Sequence, residues 1–156
     1  MIKKGIELKM FVDTTQDAAI LFHDVIYNVG SHTNEIDSAE YAISMLSKYK
    51  PHNMRQNQID IIALCILSTI NHVPLCEDAK EIIDLDFVSL AFEDDYNINK
   101  KLIREEYNVT DKQWKIGRKN FLETILSKKN IFYTIQCQPL EEKARQNIKN
   151  ELSELS

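Results

Sequence analysis

His23 and Asp24 stand side by side in the apolar run Leu21-Phe22-His23-Asp24-Val25-Ile26-Tyr27. An imidazole nitrogen and a carboxylate oxygen set among hydrocarbon side chains need partners, because an unpaired buried charge is costly. A divalent cation would serve. Adjacent helical positions differ by about 100°, so the pair can meet one ion only at a helix edge, and further donors must come from elsewhere in the chain. Asp84 and Asp86, in Ile83-Asp84-Leu85-Asp86-Phe87, supply carboxylates within a second apolar stretch. His72, at the end of the most hydrophobic segment, supplies another imidazole.

The elements that must position these groups are helices. Apolar residues recur at three- and four-residue spacing almost throughout, and only three Gly and three Pro interrupt them. The spacing predicts about seven helices in an all-α, compact single-domain bundle spanning residues 1–156, with 1–13 irregular. Thr14, with Asp17 three residues on, reads as the cap of a first helix through about Tyr27. A second runs from about Glu35 to Tyr49 and stops before Pro51. The third, from about Arg55 to Asn71, carries Ile59, Ile62, Ala63, Ile66, Leu67 and Ile70 on one face and should be central. The others cover about Glu77–Ala91, Tyr96–Tyr107, Thr110 or Asp111 to Lys128, and Pro139–Leu155.

Composition narrows the function classes. Nineteen basic against 24 acidic residues give a net charge of −5, which argues against nucleic acid as the main partner. Lys112, Lys115, Arg118 and Lys119 share about two turns of one predicted helix and read as a solvated face, with a local basic patch as the alternative. Three widely spaced cysteines without a C-x-x-C pair indicate neither a disulfide framework nor a zinc-thiolate site. The stretch Ile59–Ile70 contains Asp60 and is too short to span a bilayer, so the expectation is a cytoplasmic protein without a membrane partner.

Taken together in order, the motifs resemble a family of bacterial and phage HD-superfamily phosphohydrolases. The resemblance rests on Leu21 to Tyr27, on Asn34-Glu35 followed by Ser38-Ala39, on Thr69-x-x-His72, and on Asp84-Leu85-Asp86. It continues through Tyr96, Ile103-Arg104-x-Glu106-Tyr107, Trp114, Gly117-Arg118, Ala144-Arg145-x-Asn147 and Glu151-Leu152, covering the chain from about residue 17 onward. It implies a helical HD fold in which His23, Asp24 and Asp86 bind a divalent metal, with Asp84 in reserve for Asp86. The cation would be Mn, Co, Ni, Fe, Zn or Mg. It would polarise a phosphoryl oxygen and make hydroxide available near neutral pH.

Glu35 and Asp24 are then the candidates for catalysis, and Arg104, Arg118 and His72 for binding substrate. Each basic residue has a structural alternative: Arg104 and Arg118 as ion pairs with Glu105, Glu106 or Glu123, His72 as a hydrogen-bonded histidine. The substrate expected is a small phosphorylated molecule, a nucleotide first. The alternative is a degenerate HD domain that binds a nucleotide or a protein partner without catalysis. It arises because the family takes a further metal-binding histidine from upstream, whereas His23 is the first histidine of this sequence. A bundle short of that segment exposes apolar surface, which favours a homo-oligomer.

Overall fold

The computed structural model describes residues 1–10, 13–51 and 54–155, with only the backbone of Ile2. It is all-helical: eight α-helices and no strand among the described residues. In chain order they are α1 (Ile2–Glu7), α2 (Thr14–Phe22), α3 (Asn34–Tyr49), α4 (Gln56–Ser68), α5 (Ala79–Phe87), α6 (Glu93–Glu106), α7 (Asp111–Ser127) and α8 (Glu141–Glu154). Residues 11 and 12 of the segment expected to be irregular lie outside the described residues, and Ile2–Glu7 of that segment is helical.

The chain forms two compact units, Met1–Asp86 and Phe87–Ser156. In the first, α4 packs against both α3 and α2. Ile59, Ile62, Cys65 and Ile66 of α4 are buried, so this helix is central to its unit, as its apolar face predicts. Each isoleucine withdrawn from water in this way contributes roughly 1.5–3 kcal/mol. In the second unit α8 packs on α7 and on a 3₁₀ turn, Val88–Ala91, around Leu122, Ile125, Ala144 and Ile148.

Both ends of α2 differ from expectation. Helix α2 is capped by Asp13, not Thr14: the Asp13 carboxylate accepts from the Thr15 and Gln16 N–H groups, and Gln16 Oε1 accepts from the Asp13 N–H. The partner three residues on is therefore Gln16 rather than Asp17. The same helix stops at Phe22, five residues before the expected end, so His23 and Asp24 begin a turn. The cause lies on α3. Ser38 Oγ accepts from the Ile26 N–H at 3.0 Å and donates to the Ile26 carbonyl at 3.2 Å. Asn34 grips Asn28 in the same way, accepting from its N–H at 2.9 Å and donating to its carbonyl at 3.0 Å.

Candidate metal centre

Helix α2 delivers His23 at its C-cap, where the ring Nδ1 donates to the Ile20 carbonyl at 2.8 Å. That bond leaves Nε2 facing away from the helix, 3.0 Å from Asp24 Oδ2 and 4.0 Å from Asp86 Oδ1. Asp86 sits in the last turn of α5, and its other oxygen accepts from His72 Nε2 at 3.0 Å. His23 and Asp86, far apart in sequence, thus meet at one locus in the first unit, with Asp24 beside His23 and His72 beside Asp86.

His72 lies between α4 and α5 with φ +50, a left-handed conformation that few non-glycine residues adopt and that clusters at functional positions. Ser68 at the end of α4 holds the surrounding segment: its carbonyl accepts from the Val73 N–H at 3.2 Å and its hydroxyl from the Leu75 N–H at 3.0 Å. Ser68 and the pair Asn34/Ser38 are positioning residues that periodicity does not single out, because each acts on backbone several residues away.

Burial works against a charge on His23, but the hydrogen bond to Asp24 and the nearby Asp86 and Asp24 carboxylates outweigh it and raise the imidazole to about 9. His23 is therefore protonated at neutral pH. The hydrogen bond from His23 lowers the Asp24 carboxyl, with burial opposing, and Asp24 remains more than half exposed. As they stand, the donors face one another in pairs. Among the described residues no three His, Cys, Asp or Glu side chains are set about a single point where they could hold a metal ion.

The other expected site residues are elsewhere. Asp84 is fully buried, because a helical residue two positions from Asp86 points to the opposite face. Glu35 is half-buried in the first turn of α3, next to Asn34, and makes no hydrogen bond or ion pair with the four. Arg104 and Arg118 belong to the second unit. Arg104 donates to the Tyr107 and Val109 carbonyls and to Asp111, and lies over the Trp114 ring. Arg118 is buried, and its Nε and Nη2 each lie 3.0 Å from a Glu151 oxygen. Its partner is thus on α8 and is none of Glu105, Glu106 or Glu123. Tyr96 donates to the same carboxylate.

Arg145 and Asn147 are likewise committed. Arg145 donates to the Leu126 carbonyl in the last turn of α7, to the Lys128 and Lys129 carbonyls that follow it and to Glu141, and Asn147 donates to the Leu90 carbonyl. The polar residues that stand out in the later half of the sequence therefore satisfy backbone and buried charge within the second unit. Among the described residues no helix is long and apolar enough to cross a membrane. No family model, curated protein or solved structure matches the chain.

Proposed function

We propose that the chain is an HD-type, metal-dependent phosphohydrolase acting on a small phosphorylated molecule, with a nucleotide as the substrate class. One observation carries this reading: Asp24, His23, Asp86 and His72, from three separate parts of the chain, form a row in which each lies within 4.0 Å of the next. Two imidazoles and two carboxylates form a nitrogen and oxygen donor set of the kind that suits Mn, Co, Ni, Fe or Zn. His23, Asp24 and Asp86 would hold the cation. When bound, it supplies Lewis acidity and an acidified water near neutral pH.

The chain's own residues have separable tasks in this reading. The Ile20 carbonyl fixes the His23 ring, so Nε2 is presented to the site without rotational search. His72 orients the Asp86 carboxylate through its 3.0 Å bond. Asp24, the most exposed member, is the group on the solvent side that can accept a proton from water. Glu35 follows Asn34, which is bonded to the turn after Asp24, and is the second base we assign. The proton held by His23 competes with any cation for the same nitrogen.

That competition favours a second reading, in which the domain binds a nucleotide or a protein partner without turnover. The specific observation is that imidazole and carboxylate already satisfy each other. Incubating the protein with Mn and a panel of nucleoside mono-, di- and triphosphates separates the two. The first reading expects phosphate release that falls at least about 100-fold in His23→Ala and Asp86→Ala. A nucleotide that raises the melting temperature without any phosphate release selects the second.

A further inference from the structure

Outside the four-residue cluster, the first unit brings a second reactive pair together. Cys65 Sγ and Cys76 Sγ lie 3.8 Å apart. Cys65 is buried on α4, whereas Cys76 is partly exposed in the segment between α4 and α5. A disulfide needs sulfurs about 2.05 Å apart, so side-chain rotation has less than 2 Å, roughly, to close. Cys137, the third thiol, is buried in the second unit.

The segment bridged by these thiols is the one that carries His72. Its first half is tied to α4 by the two bonds to Ser68, and Cys76 lies just beyond Leu75, the last residue so held. We infer that Cys65 and Cys76 form a reversible disulfide that clamps this segment onto α4 and fixes the position of His72. The consequence for a metal centre rests on the function proposed above, whereas the bond itself does not.

A low-molecular-weight disulfide is the oxidant. The Cys76 thiolate, being the accessible one, attacks a sulfur of that disulfide and expels one thiolate, leaving a mixed disulfide on Cys76. Cys65 then loses its proton and attacks Cys76 Sγ, forming the intrachain bond and expelling the second thiolate. The two protons lost by the cysteines end on the two small thiols released, so the protein is oxidised by two electrons and the small disulfide is reduced by two. Burial, with the adjacent Cys76, pushes the Cys65 thiol up, so free Cys65 is a poor nucleophile toward outside reagents. Its neighbour at 3.8 Å is the exception, because that attack needs no encounter.

The test treats the whole chain with oxidised glutathione and compares it with the dithiothreitol-reduced form by intact-mass and non-reducing peptide mapping. The expected product has lost two hydrogens, links the peptides of Cys65 and Cys76, leaves Cys137 free to alkylate after unfolding, and melts roughly 5–10 °C higher. Cys65→Ser should stop at a glutathione adduct on Cys76. The half-exposed Cys76→Ser, less disruptive to folding, should leave both remaining thiols unmodified. An adduct on Cys76 that persists in the unaltered chain while Cys65 stays alkylatable overturns the inference, as does a link through Cys137. The His72 imidazole resonances should move between the two forms without added metal. If the bond forms and they do not move, the clamp on His72 is refuted while the metal reading stands.

Discussion

The hydrogen bond from His23 to the Ile20 carbonyl decides which ring nitrogen meets the carboxylates, and at this scale single contacts set the chemistry. In the second unit the comparable decision is made by Glu151, which holds Arg118 through two 3.0 Å bonds and accepts from Tyr96. Both partners of this ion pair are almost fully buried, so removing one strands the other. Arg118→Met should cost about 3–5 kcal/mol in urea unfolding. Asp111→Ala, which breaks the exposed pair with Arg104, should cost no more than about 1 kcal/mol. The same network fixes a pH dependence. Burial would raise the Glu151 carboxyl, but the bonds from Arg118 and Tyr96 prevail and lower it below the ordinary 4.5. A carboxyl whose folded value is depressed adds stability above its unfolded value and loses it as pH falls through the folded one. Stability should therefore drop steeply below about pH 4.5, and the slope measured by urea titration should be shallower in Glu151→Gln.

Elements show how far a one-dimensional reading reaches. The central role of α4 is legible because its apolar residues recur on one face, and a cap at Thr110 or Asp111 is legible from residue type, the structure choosing Thr110, whose hydroxyl accepts from the Gln113 N–H. The early end of α2 is not, since Val25, Ile26 and Tyr27 continue the apolar pattern while Ser38 and Asn34 take hold of the backbone from another helix. Ser38→Ala should leave the Ile26 N–H and carbonyl without that partner. The expected cost is about 1–3 kcal/mol, read as a melting temperature lower by roughly 2–12 °C and as faster amide exchange at Ile26. If Ile26 exchanges as slowly as before, the turn after Asp24 is held by something other than Ser38. Helix α5 illustrates a tightening: the expected helix ending at Ala91 instead gives way after Phe87 to the 3₁₀ turn Val88–Ala91. For the candidate site, Asp86 could be preferred over Asp84 only through the family resemblance. The structure supplies the physical reason, since α5 turns Asp84 into the core and Asp86 toward the histidines.

At the scale of the whole molecule, an all-helical class follows from spacing, but the division into two units does not. The boundary falls inside α5, between Asp86 and Phe87, where no Gly, Pro or change in composition marks it. The division also sorts the motif residues. In the first unit Asp24 and His72 meet His23 and Asp86, whereas Tyr96, Arg118, Arg145, Asn147 and Glu151 hold the second unit together. Metal analysis of the intact chain after dialysis against Mn, with His23→Ala and Asp86→Ala beside it, tests the central claim directly. The account predicts about one ion per wild-type chain and a loss of at least about tenfold in affinity in both variants. A wild-type chain that retains no more metal than either variant contradicts it.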